Sequence, residues 1–599
     1  MAAQRTVIGG EKVPLFGGVW AIFGHGNVAG LGEALFGVRD ALPTYRAHNE
    51  QGMAHAAIAF SKASRRRRVM ACTTSIGPGA TNLVTAAAVA HVNRLPILLL
   101  PGDVFASRRP DPVLQQLEDF GDGTLSANDC LRPVSRYFDR LTRPEQLIGS
   151  FARAMAVLID PARCGPVTLA LCQDVQTEAY AYPAVMFEER VWTVRRPQPD
   201  RAELAAAVDL LRAARRPFVV AGGGVLYSEA EEALTRFCET HGLPAGETQA
   251  GKSSLPDGHA LNMGAVGVTG TAAANALASE ADLIVAIGTR LQDFTTGSRT
   301  LFQGAGRQIL SINVLPYDAE KHRAQPMVAD VGAALAGLEG ALTGWRAPDV
   351  WVARALTEKQ AWREDAARYT ASGDVGLPTD AQVIGTVQRQ SKPSDVVVCA
   401  AGGLPGELHK HWQPGQPGGY HLEYGFSCMG YEIAGGLGVK MAQPGRDVFV
   451  LLGDGSYLML NSEIATSVML DLKLVIVVLD NGGYGCINRL QNATGGASYN
   501  NLLRDSRHVC LPEIDFAAHA RSLGAISEQV DGLAALEAAL VRARAAPRTA
   551  VVVIRTDPLL VTDAGGHWWD VPVPEVSDRF EVQHARTAYD AAHQAQDTG

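Results

Sequence analysis

The sequence predicts an α/β chain of three domains, each with a mostly parallel sheet flanked by helices. Short apolar runs recur along the chain and alternate with segments of helical spacing, the pattern of strand-helix-strand crossovers. At 599 residues the chain is too long for one hydrophobic core, and its 62 glycines suit many tight strand-to-helix turns. Between Asp447 and Leu490 two apolar runs stop abruptly at polar oxygens: Gly453-Asp454-Gly455 after the first, Asp480-Asn481-Gly482-Gly483 after the second. In an open parallel sheet that carboxyl edge is where ligands sit.

The first domain is expected over residues 1–185. Val19 to Phe23 reads as a strand leading into the glycine-rich turn GHGN, which carries His25. Gly24, Gly26 and Gly30 only approximate a dinucleotide fingerprint, and no acidic residue ends a second strand at the required distance, so nicotinamide binding is not expected. Asn49 and Glu50 open a helix whose apolar face runs through Met53, Ala56, Ala57 and Phe60; acids are favoured in any first turn, so Glu50 has a purely structural reading. The basic run Arg65 to Arg68 falls where this helix should end and is expected as a solvated terminus. Strands follow in VMACTT and LPILLLPGD. Gly121-Asp122-Gly123, which follows no buried strand, is expected as a surface turn. GPVTLALC supplies a last strand, and RVWTVRRPQPD an exposed linker.

A middle domain is expected over residues 199–345, with strands in RPFVVAGGGV, ADLIVAIGTRL and RQILSINVL. Its Ala221-Gly222-Gly223-Gly224 turn could approach a phosphate, but tight strand-to-helix geometry explains the glycines equally well. The third domain is expected over residues 375–599: a strand from Asp395 to Gly402, a CMG turn ahead of a glycine-rich helix, the two strands of the Asp447–Leu490 stretch, and a closing strand from Ala550. Within that stretch Asn461 or Ser462 would cap the crossover helix. Trp568 and Trp569 in the tail are expected to cover the domain or a subunit contact.

One right-handed crossover separates Asp454 from Asn481, which brings them side by side at the top of neighbouring strands. A carboxylate, an amide oxygen and a main-chain carbonyl are hard ligands that suit magnesium with phosphate oxygens completing its shell. The surrounding glycines allow a diphosphate close approach. The plainer reading is an ordinary strand turn with a capping Asp. A net charge of -9 argues against nucleic acid as a partner. Nine scattered cysteines without a CxxC pair suggest reduced thiols in a cytoplasm. No apolar stretch reaches membrane-spanning length, no signal-peptide pattern opens the chain, and no membrane partner is expected.

The paired strand ends resemble the GDG-to-Asn signature of the thiamine-diphosphate enzymes. The resemblance implies that Asp454, Asn481 and the carbonyl of Gly483 hold magnesium, and that Gly403, Gly453, Gly455 and Ser456 lie against thiamine diphosphate. Met429, in the CMG turn, would prop the cofactor into its V shape. Glu50, in NEQGMAHAA, would hydrogen-bond the aminopyrimidine ring and stabilise the tautomer that serves as internal base. Some relatives carry FAD in the middle domain; no functional FAD is expected here.

The phrases IFGHGN, NEQGMAHAA, DPVLQQLED, LTRPEQL, QDVQTEAY, AGGLPGEL, EYGFSCMGYEIAG and GDGSYLMLNSE resemble one branch of that family, the hydrolases that open a cyclic trihydroxy dione in myo-inositol breakdown. This implies cleavage of the bond between adjacent carbonyls to give 5-deoxyglucuronate. His25, Gln115 and Asn488 are the candidates for contacts to the substrate; a turn residue and a solvent-facing helix residue are the bland readings of the first two. The resemblance also implies a homodimer or homotetramer, with the pyrimidine end of the cofactor held by one subunit and the diphosphate end by another. About eighteen residues precede Trp20, where the family has a helix and a basic leader, which implies a shortened start. The alternatives are a carboligase or decarboxylase resembling acetohydroxyacid synthase, a nicotinamide oxidoreductase, and a non-catalytic relative.

Overall fold

A continuous Val/Ile/Leu run can bury both of its faces only inside a sheet covered by helices on each side, and the apolar runs do so here. The computed structural model describes residues 1–304, 306–373 and 376–596. The expected domain limits at 375 and 599 fall outside the described residues. Strands β1 (Gln4–Ile8) and β2 (Glu11–Pro14) form an antiparallel ribbon. The first large sheet comprises β3 (Phe16–Ile22), β4 (Thr44–Arg46), β5 (Val69–Thr74), β6 (Ile97–Asp103), β7 (Tyr137–Leu141) and β8 (Pro166–Cys172), in the order β4-β3-β5-β6-β8-β7. A short β9 (Arg190–Trp192) pairs parallel with β1. The middle sheet holds β10 (Pro217–Ala221), β11 (Ala245–Glu247), β12 (Asn262–Ala265), β13 (Leu283–Ile287), β14 (Gln308–Asn313) and β15 (Gln325–Val328), in the order β12-β11-β10-β13-β14-β15. The third holds β16 (Val396–Val398), β17 (Tyr420–His421), β18 (Val448–Gly453), β19 (Val475–Asp480), β20 (Ile526–Val530) and β21 (Ala550–Arg555), in the order β17-β16-β18-β19-β21-β20. Every pairing within these three sheets is parallel, as the fold class requires.

The first and third sheets share one core. Helix α1 (Glu50–Ala63) lies on the first sheet and a glycine-rich helix (Tyr431–Ala442) on the third, and the two pack so closely that a Cβ on Gly438 would run into the carbonyl oxygen of Ala56. Trp20, Met53 and Phe60 therefore belong to the same buried cluster as Val450, Ile476 and Val477. The middle sheet has its own core, with Phe218, Val219, Ile284, Val285 and Leu310 at its centre.

Three sequence expectations need correction. The stretch after β8 is not all linker, because β9 within it adds to the β1–β2 ribbon. The middle sheet has six strands rather than three, since β11, β12 and β15 are too short to show periodicity in a sequence. The basic run is not a solvated helix end. Arg65 and Arg66 adopt left-handed backbone (φ 53° and 61°), which turns the run out of the helix and across the domain boundary. Arg65 pairs with Glu231 at 2.7 Å and Arg67 with Glu229 at 2.6 Å. Arg66 stacks on Tyr227, 3.6 Å from its centroid, and Arg68 donates to the Pro14 carbonyl at 3.0 Å. Gly121-Asp122-Gly123 is an exposed turn, with Asp122 accepting from the Thr124 N–H at 2.8 Å. Trp569 covers the middle unit, donating to Asp293 at 2.8 Å and packing edge-on against Phe294.

Candidate active site

The parallel register sets Gly453 of β18 opposite Leu479 of β19, so both strands end at the same edge. Asp454 begins a short helix (Asp454–Met459), and Asn481 is the first residue beyond β19. The Asn481 N–H donates to Asp454 Oδ1 at 3.3 Å. Asp454 is only 2% exposed. Burial, and then the charge of Asp480, push its carboxyl up to about 7, against N–H groups of Asn481 and Gly483 that favour the ionised form. The Asn481 Oδ1 is buried without a hydrogen-bond partner. Leaving such an oxygen bare costs about 1–3 kcal/mol, a penalty that a cation ligated there would remove. Gly482 and Gly483, with φ of 76° and 141°, let the turn fold back toward Leu502. Among the described residues no group of three or more His, Cys, Asp or Glu could hold a metal ion. The side-chain donors at Asp454 and Asn481 are oxygens, hard ligands of the kind that suit a magnesium-like cation.

The neighbouring glycines allow close packing. A Cβ on Gly455 would lie 2.6 Å from the Tyr484 ring and 3.3 Å from the Met429 methyl, which places the Met429 turn directly against the strand end. Glu432 ties that turn in place: it accepts the Gly430 N–H at 2.9 Å and the Ser456 hydroxyl at 3.0 Å. Full burial pushes its carboxyl up to about 7. Gly403 stands at the N-cap of a helix (Leu404–His411), where a Cβ would strike the guanidinium of Arg489. Gly403, Met429, Gly453, Asp454, Gly455, Ser456, Asn481 and Gly483 all lie at or after the carboxyl ends of the third sheet's strands.

Glu50 is the first residue of α1, whose N-cap Asn49 accepts from the Gly52 N–H at 3.1 Å. Its Oε2 accepts from Asn82 at 2.8 Å, and its Oε1 lies near Gly79, where a Cβ would come within 3.2 Å. His25 is exposed in the turn after β3, and the neighbouring Gly26 packs on Ile76. Gln115 is exposed in a turn rather than a helix, with φ of 64° and its carbonyl pressed on Gly77. The single turn 75–79 therefore gathers the segments of His25, Gln115 and Glu50. Asn488 sits in the helix Gly485–Ala493, fully buried, with neither amide atom hydrogen-bonded. Among the described residues no hydrogen bond joins Glu50 or Asn82 to Asp454 or Asn481. Asn82 carries no local sequence signal, being defined by Glu50, 32 positions away, and Glu432 joins the nearby Gly430 to Ser456, 24 positions on.

The thiamine pyrophosphate enzyme N-terminal TPP binding domain matches residues 23–122, the central domain residues 204–338, and the C-terminal TPP binding domain residues 400–554. The chain belongs to the thiamine pyrophosphate enzyme family. The N-terminal match spans His25, Glu50 and Gln115, and the C-terminal match spans Gly403, Met429, Asp454, Asn481 and Asn488. This thiamine pyrophosphate enzyme is 42% identical to proteins named 3D-(3,5/4)-trihydroxycyclohexane-1,2-dione hydrolase from Bacillus cereus (strain AH820) and Bacillus anthracis (strain A0248), over 97% of this chain and 95% of each relative. The same name, identity and coverage apply to a relative from Bacillus thuringiensis (strain Al Hakam). In the middle domain of this family member, Gly222 and Gly224 are explained by packing: a Cβ on either would lie 2.5–2.6 Å from Gly288. Gly223 and Gly224 also line a cavity of about 170 Å³ with Arg66, Arg94, Arg196 and Arg290 where the three domains meet.

Proposed function

We propose that the chain is a thiamine-diphosphate- and magnesium-dependent hydrolase that opens 3D-(3,5/4)-trihydroxycyclohexane-1,2-dione to 5-deoxy-D-glucuronate in myo-inositol degradation. The observation that carries the reading is the bare Asn481 Oδ1 beside buried Asp454, in a chain that aligns end to end with hydrolases of that name. In this reading Asp454, Asn481 and the Gly483 carbonyl hold magnesium, and the glycines at 403, 453 and 455 with Ser456 accommodate the diphosphate. Met429, backed by Gly455 and Tyr484, supports the cofactor's bend. Once bound, the cofactor supplies the carbanion and the electron sink for carbon-carbon cleavage. Glu50 holds a proton for the aminopyrimidine ring; Asn82 occupies its Oε2 and leaves Oε1 for that contact. A hydroxyl-rich ring calls for neutral hydrogen-bonding groups, and the two unpaired amide atoms of Asn488 favour it over exposed His25 and Gln115 for that work. Water adds across the broken bond, so one carbonyl carbon leaves as a carboxylate and the other gains hydrogen, with no external oxidant or reductant.

Exposed apolar side chains flank both half-sites: Leu458, Met459 and Ile487 beside Asp454 and Asn481, and Phe23 and Val28 beside His25. Exposed apolar groups in these two places would be covered by a second copy, which supports a homodimer or homotetramer with the cofactor at the subunit interface. Nine free cysteines favour a cytoplasmic location. The test is incubation with thiamine diphosphate, magnesium and the dione: one new carboxylate per dione consumed supports the proposal. An untouched dione together with carbon dioxide released from pyruvate would replace it with a 2-oxo acid decarboxylase.

A further inference from the structure

A helix leaves its first N–H groups without intrahelical partners, and a capping box serves two of them: the N-cap side chain takes the N3 N–H, and an acidic N3 side chain reaches back to the N-cap N–H. In α1 the N-cap is Asn49, and it takes the Gly52 N–H. The N3 position is therefore Gly52, which has no side chain to complete the pair. The missing carboxylate comes from the third sheet. Glu463, the first residue of a helix (Glu463–Met469) shortly after the Asp454 turn, accepts the Asn49 N–H at 3.2 Å and the His48 N–H at 3.2 Å, both on Oε1. Its Oε2 accepts from the Thr466 hydroxyl, which also contacts His48 Nδ1 at 2.9 Å. The residue is 1% exposed. A Cβ on Gly52 would lie 2.9 Å from Glu463 Oε1, so the carboxylate stands where a local N3 side chain would have been.

We infer that Glu463 is a positioning residue for Glu50: reaching over from the segment that carries Asp454, it completes the capping box that α1 lacks and thereby fixes the backbone from which Glu50 projects. The inference rests on the proposed role of Glu50 at the pyrimidine ring. It ties the aim of Glu50 to the same stretch of chain that forms the metal clamp. A buried carboxylate is costly unless hydrogen-bonded, and besides the hydroxyls of Ser462 and Thr466 on its own segment this one accepts from the two N–H groups ahead of Glu50.

The test uses the full-length protein loaded with thiamine diphosphate and magnesium, and reads kcat, the near-ultraviolet circular dichroism of the bound aminopyrimidine, and thermal stability. Glu463→Ala is expected to lower kcat by about 10-fold to 100-fold and to weaken the dichroic signal, as misplacement of a catalytic group does. Glu463→Gln, whose amide oxygen can accept both N–H groups, is expected to restore most of both. Gly52→Glu added to Glu463→Ala supplies a local capping box and is expected to recover kcat as well. Should Glu463→Ala fold poorly, Gly52→Ala displaces the same carboxylate from the other side; it is expected to lower kcat although Ala favours helix over Gly. Glu50→Gln is measured in parallel. If Glu50→Gln loses turnover while Glu463→Ala or Gly52→Ala changes only thermal stability, the inference is overturned and the role of Glu50 stands. If Glu50→Gln keeps wild-type turnover and signal, the role of Glu50 falls and the inference with it.

Discussion

Asp454 is a carboxyl whose surroundings resist its charge. Burial and the nearby Asp480 hold it at about 7, so near neutrality it is a mixture of acid and anion. A divalent cation needs the anion, and binding therefore expels a proton. Below pH 7 magnesium-dependent cofactor affinity is expected to fall by about tenfold per pH unit, and above it to level off. Calorimetry in buffers of different ionisation enthalpy would show the released proton, and Asp454→Ala is expected to abolish the magnesium-dependent part of the binding. At this scale the sequence was legible where a residue's place in the fold coincides with local punctuation. Asp454 and Asn481 end apolar strands and Glu50 follows an N-cap, so each announces itself within a few positions. Glu463 does not, because the backbone it caps lies 415 positions away. Asn82 was hidden because its partner Glu50 lies 32 positions away, and Gln115, whose plain alternative was a helix residue, proved to lie in a strained turn.

Among the elements, α1 crosses the helix Tyr431–Ala442 in backbone contact. Gly438 permits it, since any side chain there would meet the Ala56 carbonyl. Gly438→Ala raises helix propensity yet is expected to destabilise the protein by about 1–3 kcal/mol or more, because backbone rather than a pliable side chain must yield. Urea denaturation would measure it; a stabilised variant would show that the helices can separate freely. The long strands were legible because five buried apolar residues in a row, as in β18, β19 and β21, have few other solutions. The ribbon β1–β2, β9 and the three shortest middle strands were not. Their existence is decided by the partner they pair with, and no periodicity fits in three to five residues.

For the whole molecule, the three-sheet class followed from length and alternation, while the way the units are fastened did not. Arg65 to Arg68 read as one more charged helix end until the acidic and aromatic surface of the middle unit came into view. The exposed apolar residues beside both half-sites make a larger-scale claim. If the cofactor bridges two copies, activity is expected to disappear as the protein is diluted through its dimer dissociation constant, with mass photometry reporting the state; full activity of a lone chain would refute the shared site.

The common core of the outer sheets also decides how the molecule comes apart. Nicked on both flanks of the middle unit, it is expected to shed a self-sufficient central fragment, whereas the amino- and carboxyl-terminal pieces stay clasped as a noncovalent pair. Expressed separately, neither of those outer pieces would be soluble until it met the other.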